Sequence, residues 1–169
     1  LAIPGDGQLT YSGGRGWDAA EGTVLMQTLS KNKRRIEPRL LTKQQNEWVG
    51  YSYLWNEEQS DASLVPTGGL VLKDKSWSVP SRAECMMCHS RAARYTLSLT
   101  QLQMDRTHDF GSGQVNQIEW LNKAGILKGG KAGQSKLVNP YDAKHPFEAR
   151  VRSYWQVNCA SCHVEAGGG

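Results

Sequence analysis

The stretch that decides the fold is Val79-Pro80-Ser81-Arg82-Ala83-Glu84-Cys85-Met86-Met87-Cys88-His89. Before it, apolar residues alternate as in strands; after it, they recur at three- and four-residue steps, as in helices. Pro80 blocks helical continuation from upstream. Ser81 and Glu84 spell the S-x-x-E capping box, in which each side chain satisfies the other residue's backbone N–H. A helix is therefore expected to begin near Arg82 and to carry Cys85, Cys88 and His89 in its first two turns.

Working upstream, Gly22–Leu29 and Arg34–Leu41 are short apolar runs around a polar turn, Ser30–Lys33. Pro38 removes a ladder donor, which places its strand at an edge or a bulge. Glu47–Trp55 is the clearest strand, with Val49, Tyr51, Tyr53 and Trp55 alternating onto one face. Gly69–Lys73 is a fourth candidate. Residues 17–80 thus read as a small antiparallel sheet. The basic run Lys31, Lys33, Arg34 and Arg35 falls at the hairpin turn, where a solvated turn is favoured over a docking patch.

Downstream, Gln114–Ala124 reads as a helix with Val115, Ile118 and Leu121 inward and Gly125 as its C′ residue. Residues 128–145 are rich in Gly, Lys and Asn and read as a linker. Pro146 suits a first helical position. Val151, Tyr154, Trp155, Asn158 and Cys159 then follow at helical steps into a second motif, with Tyr154 and Trp155 either beside the group that motif binds or ordinary core aromatics. Gly167–Gly169 would release the chain after it. The expected organisation is an antiparallel β domain over 1–80, a helical segment carrying the first motif over 81–127, the linker, and the start of a second helical domain over 146–169. The fold class is α+β.

The chemistry lies in the four cysteines, which form Cys85-Met86-Met87-Cys88-His89 and Cys159-Ala160-Ser161-Cys162-His163. C-x-x-C-H reads as c-type haem attachment. On a helix, positions i, i+3 and i+4 share a face. Both thiols can therefore add across two vinyl groups at one porphyrin edge while the histidine ligates iron through one nitrogen. Its other nitrogen is left to donate a hydrogen bond that sets the tautomer. Cys85, Cys88 and His89 would hold one covalent haem c, and Cys159, Cys162 and His163 a second. Structural zinc pairs usually follow within roughly 15–20 residues, whereas about seventy separate Cys88 from Cys159. Zinc, a thioredoxin-like pair or disulfides also leave the trailing histidines unexplained.

Candidates for the far side of the first iron are Met104, His108 and His145. Methionine there raises the potential, a second histidine lowers it, and an empty position permits ligand chemistry. The main reading is a one-electron relay between the two haems, in either direction. The rivals are a peroxidase-like or small-nitrogen-compound-oxidising enzyme at a five-coordinate first haem, a gas-binding module, and a zinc-stapled protein.

Gly22–Leu25, Arg34–Glu37, Trp48–Asn56, Ser81–His89 and Asn158–His163 together resemble a family of bacterial dihaem c-type cytochromes, often encoded beside or fused to quinoprotein sugar dehydrogenases. The resemblance implies an exported electron carrier, periplasmic or otherwise extracytoplasmic, with a quinoprotein dehydrogenase as redox partner. It also implies a helical domain continuing past Gly169, with the distal ligand of the second haem there. Where the family commonly reads Val-Lys-Thr, this chain has Met26-Gln27-Thr28. Gln27 offers no amine for the lysine-linked chemistry of hydroxylamine-oxidising cytochromes, to which a sheet followed by C-x-x-C-H is faintly similar.

The start at Leu1-Ala2-Ile3-Pro4 and the stop just after a domain-opening motif read as the middle of a longer chain. The formal charge of +4 is modest, and haem propionates would offset much of it, so nucleic acid has no footprint here. No apolar run approaches the roughly 18 residues of a membrane span.

Overall fold

A computed structural model describes residues 1–13, 16–111 and 113–164; the expected release at Gly167–Gly169 lies outside them. The strands are β1 (Leu9–Thr10), β2 (Asp18–Ala19), β3 (Val24–Lys31), β4 (Arg34–Gln44), β5 (Glu47–Trp55), β6 (Ala62–Leu64), β7 (Leu70–Val71), β8 (Ser78–Val79), β9 (Thr107–Asp109), β10 (Gln114–Asn116) and β11 (Leu127–Lys128). The helices are α1 (Arg82–Cys88), α2 (Gln101–Met104), α3 (Gln117–Lys123) and α4 (Phe147–Asn158). The class is α+β, with mostly antiparallel sheets and short helices. Among the described residues no helix is long and apolar enough to cross a membrane. The chain groups into two compact units, Leu1–Gly7 with Ala20–Met87, and Gln8–Ala19 with Cys88 onward; the division falls inside α1.

The first unit is an antiparallel meander, β3-β4-β5-β6. Its two long hairpins turn at Asn32-Lys33 and Gln45-Asn46, all four residues at positive φ. Two left-handed residues in a two-residue loop match the twist of the flanking strands. The first turn is therefore tighter than Ser30–Lys33, and Ser30 and Lys31 stay in β3. Arg34 and Arg35 donate to the backbone oxygens of Glu57 and Gln59, each at 2.6 Å. Arg35 also stacks 3.7 Å from the Trp55 ring centroid. Two cations of the basic run are thus spent holding the turn.

Pro38 does not lie on an edge strand. The register passes from Leu29↔Glu37 to Ser30↔Arg35, so Ile36 is an extra residue two positions before it. The β4–β5 ladder ends at Arg39↔Ser52, one residue short of Pro38, where the missing donor would be felt.

Two further expectations are corrected. The fourth strand of the sheet is Ala62–Leu64, because Leu70–Val71 folds back on Ser78–Val79 as a separate hairpin. That hairpin closes as Leu72 N–H donates to Trp77 O at 3.0 Å. In β5 the buried face carries Trp48, Gly50 and Ser52, while Val49, Tyr51, Tyr53 and Trp55 are half-buried. Alternation identified the strand but not its inner face, since the half-buried face carries the larger apolar area.

In the second unit β1 pairs antiparallel with β2 and parallel with β11. Leu9, Trp17, Leu99, Ile118, Leu121 and Leu127 are buried. The helix expected over 114–124 starts later, because Gln114–Asn116 pairs with Thr107–Asp109. Asn116 then caps α3, its side-chain oxygen accepting from Ile118 and Glu119. Its end is as expected: Gly125 sits at φ +71, its N–H donates to Asn122 O at 3.0 Å, and Ile126 N–H donates to Leu121 O at 2.9 Å.

Residues 128–145 hold no long element, yet they are tied down. Asp105 accepts from the backbone N–H groups of Gly133 at 3.0 Å, Gln134 at 2.5 Å and Ser135 at 2.7 Å. Pro146 is the N-cap of α4, one residue before its first helical position.

Candidate haem sites

The capping box forms at the first motif. Ser81 donates its N–H and its hydroxyl to one Glu84 oxygen at 2.7 and 2.8 Å, and Glu84 N–H donates to Ser81 Oγ at 3.2 Å. The N–H of Ser81, then its hydroxyl, hold the Glu84 carboxyl below the usual range. Arg82 N–H donates to Thr67 O at 3.0 Å, anchoring the start of α1 to the first unit.

Cys85 and Cys88 lie three apart on this helix, and all four cysteines are free thiols. Cys85 is half-buried against Gly50 of β5, where an added Cβ would fall 2.9 Å from Cys85 Cβ and 3.2 Å from its sulfur. Burial, reinforced by Glu37, pushes its thiol pKa up despite the opposing charge of Arg39. Cys85 therefore stays protonated at neutral pH. Below it, the fully buried Glu37 accepts from Arg39 at 2.6 and 3.1 Å and from Trp77 Nε1 at 2.8 Å. Burial alone would raise this carboxyl; the bonds from Arg39 and Trp77 and the charge of Arg39 outweigh it and hold it below the usual range. Gln27 stands opposite Arg39 in the β3–β4 register.

His89 lies one residue past the last helical residue rather than inside α1, since the helix closes at Cys88. Its Nδ1–H donates to the backbone oxygen of Tyr95 at 2.5 Å. A carbonyl only accepts, so the proton must sit on Nδ1, which leaves the Nε2 lone pair for a metal.

The second motif follows α4 rather than lying within it. One helical turn still continues: Cys162 N–H and His163 N–H both donate to Cys159 O, at 3.1 and 2.9 Å. The i, i+3, i+4 placement thus survives the end of the helix. Beside it, Arg152, Trp155, Gln156, Cys159, Ala160 and His163 line an open concavity of about 620 Å³. That lies within the 300–1,000 Å³ range of small-molecule and cofactor sites. Trp155 is 60% exposed and only Ser153 of α4 is buried, so Tyr154 and Trp155 are not core aromatics.

Within the second unit, Ala92, Ala93 and Leu97, just after the first motif, line a cavity of about 40 Å³ with Ala160 and Ser161 from the second motif.

Of the distal candidates, Met104 ends α2 and is half-buried. His108 is exposed in β9, its ring centroid 4.7 Å from that of Phe110 in a T-shaped contact, and Phe110 stacks on Trp120 with centroids 4.3 Å apart. His145 lies 4.0 Å from Asp142 in a turn. Among the described residues no three His, Cys, Asp or Glu side chains gather as a metal-ion site. A porphyrin brings four of iron's donors itself, so one histidine per ring is the donor set a c-type haem asks of the protein. The free thiols and the Nδ1-protonated His89 fit that requirement.

The reading from sequence alone missed Gly50, Tyr95 and the buried Glu37, none of which carries a local signal. No family model, curated protein or solved structure matches the chain.

Proposed function

We propose that this chain is a dihaem c-type cytochrome that relays single electrons outside the cytoplasm between a redox protein, such as a quinoprotein dehydrogenase, and a downstream acceptor. The observation that carries the reading is His89: directly behind a capped C-x-x-C helix, its Nδ1 is committed to Tyr95 O and its Nε2 left free. The cofactor when bound supplies a one-electron iron couple. Cys85 and Cys88 anchor one ring and His89 binds its iron; Cys159, Cys162 and His163 take the same roles for the other. Trp155 and Arg152 wall the second site, and Glu148 holds the Arg152 guanidinium at 2.7 Å. The shared cavity between residues 92–97 and 160–161 favours a short path between the attachment points.

The test is expression with a haem-attachment system, followed by intact mass and a pyridine haemochrome assay. Two haems and two low-spin ferric signals are expected. The bare polypeptide mass would sink the haem reading, and a high-spin signal at one haem would replace relay by an enzyme at a five-coordinate first haem.

A further inference from the structure

We infer that the N-terminal residues Ser12, Gly16 and Asp18 brace the loop behind His89 and thereby set the reduction potential of the first haem. This rests on the function proposed above and adds positioning residues to it.

The carbonyl that receives His89 Nδ1–H belongs to Tyr95, and Arg94 and Tyr95 stand in succession at φ +53 and +62. Neither is glycine, so each is held against the preference of its own side chain. Local bonds hold one side: Arg94 N–H donates to Arg91 O at 3.1 Å and Tyr95 N–H to Ser90 O at 2.9 Å.

The other side is held from about eighty residues away. The Arg94 guanidinium donates to Ser12 Oγ at 2.8 Å and reaches Asp18 Oδ1 at 3.4 Å. Ser12 donates its own hydroxyl to Gly16 O at 3.3 Å. Gly16 lies so close to the loop that an added Cβ would fall 2.8 Å from Thr96 Oγ1 and 3.1 Å from Arg94 Cβ. Trp17, 1% exposed, donates its backbone N–H to Leu99 O at 2.9 Å. The β1–β2 pairing, Thr10↔Asp18 and Leu9↔Ala19, roots the brace in the second unit.

A firm Nδ1–H···O=C bond moves electron density onto the ring and makes Nε2 a stronger donor. A stronger donor favours ferric over ferrous iron, so hydrogen bonding at this distance from the metal is a lever on potential. Without the Arg94 anchor the left-handed pair relaxes, the Tyr95 carbonyl turns aside and the ferrous form gains.

The experiment is a redox titration of the two-haem holoprotein, wild type against Arg94→Ala and Arg94→Lys, with haem stoichiometry and the His89 Nδ1–H proton resonance recorded alongside. Arg94→Ala should keep both haems and raise the ferrous-to-ferric ratio of one haem about fivefold at fixed potential, where tenfold corresponds to 59 mV. The other haem should not move. The Nδ1–H resonance should shift upfield as its bond lengthens, and Arg94→Lys, which keeps a cation on this side of the loop, should recover part of both effects.

If both haems load but neither potential moves, or both move equally, the brace has no such role and the cytochrome reading stands. A wild type without haem overturns both. Should Arg94→Ala not fold, Ser12→Ala, which deletes one hydroxyl, carries the same expectations.

Discussion

Replacing Gly50 by alanine sets a methyl carbon 2.9 Å from Cys85 Cβ and 3.2 Å from its sulfur, where ordinary contact begins near 3.4 Å. Gly50 does not need positive φ. On backbone entropy alone, then, the substitution would stabilise the protein by about 0.4–1 kcal/mol. The contact reverses the sign. Neither backbone can retreat easily, since Gly50 is paired with Leu41 in the middle of the sheet and α1 is tied by its capping box and the Arg82–Thr67 bond. Overpacking of this kind costs about 1–3 kcal/mol, so Gly50→Ala should be net destabilised by about 1–2 kcal/mol. For a chain of this length that is a fall of about 2–8 °C in Tm.

Urea unfolding measures the cost, and intact mass should show fewer chains carrying a haem at the first motif, with the second fully loaded. Cys85→Gly removes both clashing atoms, so the double variant should recover most of the loss in a double-mutant cycle. A Gly50→Ala protein that is as stable as wild type or more so, with both haems in place, would falsify the placement of Cys85 on β5.

Glu37→Gln should cost about 2 kcal/mol in urea unfolding, less than the 3–5 typical of a broken buried pair, because the Arg39 side chain is 38% exposed and keeps some solvent. The Glu37 carboxyl is held below its ordinary value. Its contribution is therefore complete above the ordinary glutamate range, about 4.3, and is lost as pH falls through the lower folded value. A stability–pH curve should show that acid limb in wild type and not in Glu37→Gln. Ser81→Ala should lose about 1 kcal/mol and lower occupancy at the first motif, while Ser81→Asn, still able to cap, should keep most of both; equal occupancy in all three would mean the cap does not govern attachment. Asp105→Asn removes half the acceptor capacity that holds residues 133–135, and amide exchange there should quicken about tenfold, a change of roughly 1.4 kcal/mol. Unchanged exchange would assign that order to other contacts.

Elements whose causes lie within a few residues were legible from the chain alone. Ser81 and Glu84 are three apart and announced α1; Glu47–Trp55 alternated and forms a strand with those bounds; Gly125 ended α3 as a left-handed residue must. Misplacements came where pairing with a nearby strand outweighed the apolar pattern. Thr107–Asp109 drew Gln114–Asn116 out of the helix, and Leu70–Val71 left the sheet for a hairpin of its own. The first sixteen residues carried no periodic signal, yet they contain β1 and Ser12, which accepts from Arg94.

By itself the sequence determined the α+β class, the capped helix and the paired C-x-x-C-H motifs, because backbone periodicity, capping and thiol spacing act between neighbours. Only the tertiary structure decided which face of β5 is buried, that Cys85 rests on Gly50, and that the proton of His89 sits on Nδ1. Those depend on contacts between residues far apart in the chain, such as Gly50 with Cys85. Closing so long a loop costs entropy that no local pattern records, and it is met only when the whole core assembles.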